Sequence, residues 1–169
     1  MLRRIPAFGT PRVLVNDIVP DLKLDPGLKL EWVGKEDIYR HADLISLHVP
    51  LTLHTRNMIR HEQLMMMKAD ALLINCARGG IVNEADLARA LRGGHLGGAA
   101  IDVFEHEPYT GELAGIERCL LTAHMGSMSV DCRTRMEIEA TEEAVRFLAG
   151  QAQRSPVPAA EYELQRLMA

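Results

Sequence analysis

Residues 71–103 of the chain, ALLINCARGGIVNEADLARALRGGHLGGAAIDV, decide its fold. They contain a run of branched apolar residues at 71–76, a helical pattern, and a second apolar run at 98–103. Asn83 is placed to cap the helix, and Gly93 with Gly94 is placed to end it. A strand, a helix and a strand at this spacing predict a β-α-β unit, and therefore two parallel strands.

The same alternation continues on both sides of this unit. Further strands are predicted at 12–16, 28–33, 44–49 and 119–122. Further helices are predicted at 35–42, 61–68 and 129–149, with a short final helical stretch inside 151–169. The alternative, an α+β domain built from hairpins, lacks the Asn-Gly or Asp-Gly turns that hairpins favour. The sequence therefore predicts an α/β fold with a parallel sheet.

The composition restricts the class of protein. A chain of 169 residues with 47% hydrophobic residues is long enough for one folded domain. The net charge of −4 argues against a nucleic-acid binder, and the apolar runs are too short for a membrane span or a signal peptide. Three cysteines without a C-x-x-C pair argue against a disulfide scaffold or a metal site, and they favour a cytoplasmic location.

Polar residues follow the predicted strands at the point where each strand ends. In chain order they are Asp17, His48, Arg78, Asp102, Glu107 and His124. Ligands of open parallel sheets bind beyond the carboxyl ends of the strands. We therefore expect an arginine, several carboxylates and a histidine to lie along one edge of the sheet.

Four segments carry a more specific signature. They are LISLHVPLTLHTRNMI at 44–59, LLINCARGGIVNEADLARAL at 72–91, GGAAIDVFEHEPYTGEL at 97–113 and LLTAHMGS at 120–127. In this order they resemble the D-isomer-specific 2-hydroxyacid dehydrogenases, above all the phosphoglycerate and glycerate dehydrogenase branch. The resemblance implies a Rossmann-like, doubly wound NAD-binding domain over 1–150. It also implies that 151–169 is a tail that returns to a substrate domain, and that the protein forms a homodimer.

The resemblance implies a catalytic set of Arg78, Glu107 and His124. Arg78 would hold the carboxylate of a 2-hydroxy or 2-keto acid in its planar fork, and Gly79 and Gly80 would let the backbone and the ligand approach closely. His124 would transfer the hydroxyl proton, with Glu107 as its partner carboxylate. The ordinary alternatives are a surface salt bridge for Arg78, a turn at Glu107 and a helix cap at His124.

The resemblance also implies an NAD site. Asp17 would bind the adenosine ribose hydroxyls and repel a 2′-phosphate, which favours NAD over NADP, although a turn residue is the simpler alternative. Cys76 would line the pocket and would not act as a nucleophile, because no histidine base lies next to it in the sequence. The cofactor-lining set is Asp17, Val49, Cys76, Ala77, Arg78, Asp102, His124, Gly126 and Ser127.

Two elements of the family pattern are missing from the sequence. The family's cofactor domain begins with a central strand and a G-x-G-x-x-G turn that holds the pyrophosphate, and the chain contains neither. Without the central strand, strands 12–16 and 44–49 must either pair directly or receive a strand from another chain. The third alternative is that the protein starts upstream of Met1, and this is the one we expect.

Two functions remain open. The first is an NAD-dependent oxidoreductase acting on the CH–OH group of a D-2-hydroxy acid, as a fragment of the full enzyme. The second is a non-catalytic remnant used for dimerisation or regulatory binding. The presence of Arg78, Glu107 and His124 together favours the first, because a scaffold needs none of them.

Overall fold

A computed structural model describes residues 2–9, 11–18 and 28–156. The strands are β1 (Val13–Val15), β2 (Leu30–Trp32), β3 (Leu44–Leu47), β4 (Leu72–Asn75), β5 (Gly98–Ile101) and β6 (Cys119–Leu121). The α-helices are α1 (Lys35–His41), α2 (His61–Met66), α3 (Glu84–Arg92) and α4 (Val130–Leu148). Short 3-10 helices span Leu2–Phe8, Glu112–Gly115 and Met125–Ser127. The predicted final helical stretch lies outside the described residues.

All described strand pairs are parallel, as the spacing of the apolar runs predicts. Strands β3, β4, β5 and β6 form a four-stranded sheet in that order, and β1 pairs with β2 in a separate two-stranded sheet. Within the described ranges β1 and β3 do not pair, so the direct pairing considered above is not formed. The α/β class and the Rossmann-like character of the fold are confirmed.

One face of the four-stranded sheet carries the core. Side chains alternate between the two faces of a strand, so Ile45 and Leu47 of β3 and Leu73 of β4 share one face, and all three are buried. Helices α1, α2 and α3 contact one another in sequence, and buried leucines from α2 and α3 belong to the same core. On the other face Leu44 and Leu72 are exposed.

Helix α3 begins and ends where its capping residues predict. The Asn83 side chain accepts a hydrogen bond from the Asp86 amide at 3.0 Å, which satisfies one of the amides left unpaired at a helix start. Gly94 has a φ of +72°, a conformation that suits glycine directly after a helix. Leu87 and Leu91, on the face between these caps, are buried. Sequence and structure therefore agree closely over this helix.

Helix α4 is long, but it buries none of its own side chains against the rest of the described structure. Its 19 residues include no buried side chain, and Phe147 and Leu148 are largely exposed. Ser129 caps it by accepting from the Cys132 amide. After Gly150 the chain folds back along the helix, where Arg154 pairs with Glu142. None of the helices in the described ranges is both long and apolar enough to cross a membrane.

Candidate active site

The loops that follow β4, β5 and β6 are joined by backbone hydrogen bonds. The Asp102 amide donates to the Asn75 carbonyl at 3.0 Å, and the His124 amide donates to the Asp102 carbonyl at 2.8 Å. These bonds join the segments just beyond the strands, since Asp102 lies one residue after β5 and His124 lies three residues after β6. The three segments that supply Arg78, Glu107 and His124 therefore start from adjacent points on the carboxyl edge of the sheet.

Glu107 and His124 are in direct contact. His124 Nδ1 lies 3.0 Å from Glu107 Oε2, and the Phe104 amide donates to the other carboxylate oxygen at 3.0 Å. The Phe104 amide, and after it the hydrogen bond with His124, holds the pKa of Glu107 below its usual range. Glu107 is therefore a carboxylate near neutral pH and fixes one ring nitrogen of His124.

The His124 side chain does not cap a helix. It precedes the 3-10 helix Met125–Ser127 with a φ of 52°, in the left-handed region, and its side chain makes no capping hydrogen bond. The cap interpretation is therefore wrong, because the ring bonds Glu107 and not the amides of the following turn. With Nδ1 engaged by Glu107, Nε2 is the nitrogen that can meet a reacting group.

Arg78 lies in a loop whose backbone is hydrogen-bonded to the side chain of Asn75. Asn75 is almost fully buried at the end of β4, where its side chain accepts from the Ala77 amide and donates to the Arg78 carbonyl. The Arg78 side chain is exposed, and its Nη1 donates to the Ala77 carbonyl at 2.6 Å. No carboxylate in the described part of the chain forms an ion pair with it, so the surface salt bridge is not found there.

The close approach at Gly79 is to protein backbone. A Cβ placed on Gly79 would lie 1.9 Å from the Phe104 carbonyl oxygen, so only glycine fits against the turn that carries Glu107. Gly80 has a φ of +76°, which accounts for the second glycine. At Gly79 the space predicted for a ligand is therefore filled by the neighbouring loop.

Asp102 holds the loop after β6. Its buried carboxylate accepts from the Thr122 hydroxyl at 2.5 Å and from the Met125 amide at 2.9 Å. Burial by itself raises the pKa of Asp102, but the hydrogen bonds from Thr122 and Met125, together with the nearby His124, bring it below the usual value. The ionised group ties both ends of the segment that contains His124.

The remaining cofactor-lining residues lie at the carboxyl ends of strands or in the turn after β6. Asp17 follows β1 on the smaller sheet, Val49 follows β3, and Ala77 follows β4. Gly126 and Ser127 belong to the 3-10 helix after β6. Val49, Ala77, Gly126 and Ser127 follow strands of the four-stranded sheet, as predicted, whereas Asp17 follows a strand of the separate two-stranded sheet. The contacts of all these residues with NAD stay predictions.

Cys76 behaves as a neutral thiol. Although Cys76 is exposed, partial desolvation of its thiol, followed by the negative charge of Asp102, raises its pKa, so the reactive thiolate is disfavoured. This supports its interpretation as a lining residue. Among the described residues no cluster of three or more His, Cys, Asp or Glu could hold a metal ion.

Sequence reasoning missed the residues that support the site. Asn75, Thr122 and Glu84, whose carboxylate accepts from the Glu105 amide at 2.8 Å, were not among the predicted site residues. Only Asn75 carried a signal, since it is a polar residue in a predicted buried strand. The other two contacts depend on how separate loops meet.

The sequence matches the profile of the D-isomer specific 2-hydroxyacid dehydrogenase, NAD binding domain, over residues 1–126. The chain belongs to this family. The predicted resemblance is confirmed, and the matched domain confirms NAD as the predicted cofactor. A glyoxylate reductase of Korarchaeum cryptofilum is 38% identical over 151 residues, which are 88% of this chain and 45% of that protein. D-3-phosphoglycerate dehydrogenase of Bacillus subtilis is 38% identical over 116 residues, 68% of this chain and 22% of that protein.

Solved structures give the same result for the fold of this dehydrogenase domain. D-lactate dehydrogenase of Lactobacillus jensenii with NAD+ superposes with a TM-score of 0.80 at 26% identity, covering 93% of this chain and 51% of that one. The chain thus spans less than half the length of the two curated relatives and about half of this solved structure.

Proposed function

We propose that the chain is the cofactor-binding and catalytic portion of an NAD-dependent oxidoreductase that acts on the CH–OH group of a D-2-hydroxy acid. The observation that supports this most directly is the 3.0 Å contact between His124 Nδ1 and Glu107 Oε2. Oxidation of the hydroxyl group of a 2-hydroxy acid requires a base for the hydroxyl proton and a cation for the carboxylate. His124, oriented by Glu107, and the exposed Arg78 on the same sheet edge can supply both.

His124 is the residue that transfers the proton of the substrate hydroxyl. In the oxidising direction its Nε2 accepts the proton of the substrate hydroxyl while a hydride leaves the carbon that bears this hydroxyl, and a 2-keto acid is formed. In the reducing direction the protonated ring returns that proton to the carbonyl oxygen. Glu107 remains ionised, so its charge stabilises the protonated ring and fixes the ring orientation in both directions.

Arg78 is the group that would bind the substrate carboxylate. A guanidinium has five N–H donors in one plane, so its contact with the Ala77 carbonyl leaves donors for a bidentate pair with a carboxylate. The loop is fixed by Asn75 from inside the fold, so Arg78 acts from a defined backbone. Binding through both carboxylate oxygens would present the carbon bearing the hydroxyl in one orientation.

The described residues suit the two ends of NAD, which supplies the hydride acceptor at its nicotinamide ring. The exposed carboxylate of Asp17 at the end of β1 has the chemistry to accept hydrogen bonds from ribose hydroxyls. At the other end, the neutral thiol of Cys76 and the small Ala77 can border the nicotinamide ring. The sequence has no G-x-G-x-x-G loop, so the fit concerns the ends and not the pyrophosphate.

Hydride transfer to 2-keto acids tests the proposal. NADH fluorescence is titrated first, and NADH oxidation is then followed with a panel of 2-keto acids that begins with glyoxylate. His124→Ala should lower turnover by roughly 10²–10⁴. His106→Ala is the matched control, since this histidine is exposed in the same loop as Glu107 and its loss should leave turnover unchanged. Full turnover in His124→Ala contradicts the assignment, and NADH binding without turnover for any acid in the wild type favours the non-catalytic alternative.

We further propose a cytoplasmic homodimer. The free state of Cys76, Cys119 and Cys132 suits a reducing compartment, and the dimer is what the resemblance described in the sequence analysis implies. Sedimentation equilibrium of the 169-residue chain tests the dimer, because a single monomer mass at all concentrations argues against it.

A further inference from the structure

The turn that carries Glu107 is held by a second glutamate. The Phe104 amide donates to Glu107 itself at 3.0 Å, and the next amide, that of Glu105, donates to Glu84 Oε1 at 2.8 Å. Glu84 is the first residue of α3, a helix whose other face is buried in the core. Two adjacent amides of the turn are thus fixed by two carboxylates, one from the turn and one from a rigid helix.

The turn is confined on its other sides as well. The Phe104 carbonyl is packed against Gly79 so closely that no Cβ fits between them. The Phe104 ring is buried and stacks on Tyr109 with ring centroids 4.2 Å apart, and Arg56 pairs with the Glu105 side chain at 3.2 Å. With Gly79 blocking one side of the turn and the Phe104 ring fixed in the core, the Glu84 carboxylate is the contact that fixes the Glu105 amide.

We propose that Glu84 is a positioning residue for the Glu107–His124 pair, a role that rests on the function proposed above. Glu84 contacts neither His124 nor any group assigned to substrate binding. It fixes the Glu105 amide and thereby its neighbour, the Phe104 amide, which in turn orients the Glu107 carboxylate. Loss of the Glu84 contact lengthens the Phe104–Glu107 bond and the Glu107–His124 bond together.

A variant in the same helix can distinguish the positioning role of Glu84 from a purely structural one. An acidic residue in the first turn of a helix stabilises it through the helix dipole, whatever else it touches. Asp86 lies in the same turn of α3, and its carboxylate likewise accepts a backbone hydrogen bond, from the His61 amide at 2.9 Å. Asp86→Ala therefore removes a first-turn charge and a backbone contact without touching the Glu107 turn.

The test follows the titration of Glu107 by carbon NMR of the side-chain carboxyl in the 169-residue chain, with Glu107→Gln used to assign the signal. Glu84→Asp keeps the charge but shortens the side chain, so the Glu107 pKa should rise toward its ordinary value. Glu84→Gln keeps the length and an acceptor oxygen, so the pKa should stay low. Asp86→Ala should also leave it low. In the hydride-transfer assay Glu84→Asp should reduce kcat by up to about 100-fold, with a much smaller change in KM.

The two proposals fail in different ways. A Glu107 pKa that is unchanged in Glu84→Asp, or that rises equally in Asp86→Ala, overturns the positioning role, and this readout needs neither NAD nor substrate. If the wild type transfers no hydride but Glu84→Asp still raises the Glu107 pKa, the proposed function fails while the positioning of Glu107 by Glu84 stands. A backbone amide spectrum of each variant verifies that it is folded before titration.

Discussion

Replacing Gly79 by alanine tests how tightly the Arg78 loop and the Glu107 turn are packed. The added Cβ would lie 1.9 Å from the Phe104 carbonyl oxygen and 2.0 Å from its carbonyl carbon. Ordinary contacts between carbon atoms lie at about 3.5–4.0 Å, so the two loops must separate by more than about 1 Å. The neighbouring atoms are backbone, and no change of side-chain rotamer can relieve the clash.

The cost of this separation is measurable by unfolding. Overpacking a well-filled site costs about 1–3 kcal/mol, and a clash with backbone belongs at the upper end of that range. For a domain of this size each kcal/mol lowers Tm by about 2–4 °C, so Gly79→Ala should lose about 6–12 °C. Thermal unfolding followed by circular dichroism gives the value directly.

Gly115→Ala is the control for Gly79→Ala. A Cβ at Gly115 meets no atom within 4 Å, so this variant should unfold within about 2 °C of the wild type. A Gly79→Ala protein as stable as Gly115→Ala would refute the packing argument. The same separation moves Arg78 away from Glu107, so Gly79→Ala should also reduce hydride transfer at temperatures where it is fully folded.

Three further predictions concern Asp17, Asn83 and Asp102. Asp17→Ala should narrow a preference for NAD over NADP, because the variant no longer repels a 2′-phosphate; titration of both reduced cofactors at low ionic strength tests this, and equal wild-type affinities would remove Asp17 from the site. Asn83→Ala deletes the hydrogen bond to the Asp86 amide and should cost about 1 kcal/mol in urea unfolding, whereas an unchanged midpoint would show that the cap contributes nothing. The folded pKa of Asp102 is depressed, so its contribution to stability is present above the ordinary aspartate range and is lost as the pH falls through the folded value; Asp102→Asn should weaken the acid dependence of unfolding, and an unaltered pH profile would contradict this.

The secondary structure was predictable because its signals are local. The apolar runs at 44–49 and 71–76 placed β3 and β4, and Asn83 with Gly93 placed α3. β4 is one residue shorter at each end than its apolar run, whereas β3 begins with its run and ends two residues before the run does. Local patterns therefore determined which elements form, but not where pairing stops.

What the sequence could not provide was contact between loops. The Glu84–Glu105 bond and the Gly79–Phe104 contact join segments that are distant along the chain, and nothing in the pattern of either segment indicates its partner. The same limit applies to α4, whose amphipathic pattern predicts an apolar face but not whether that face is covered. Glu107 and His124 were predicted as partners through resemblance, and their contact is a result of the structure.

The division of the strands into two sheets implies two levels of local stability. A sheet of two strands with three residues each is marginal by itself, whereas β4 and β5 have neighbours on both sides and belong to the main core. Amide hydrogens of β1 and β2 should therefore exchange with solvent through local openings, long before those of β4 and β5, which require global unfolding. The end of β1 that carries Asp17 lies in the rapidly exchanging part, whereas the loops with Arg78 and Glu107 follow β4 and β5, and His124 is bonded through its amide to Asp102 directly after β5. Binding of a ribose at Asp17 would then have to offset the conformational entropy lost when β1 becomes ordered, whereas Glu107 and His124 need no such ordering before a ligand binds.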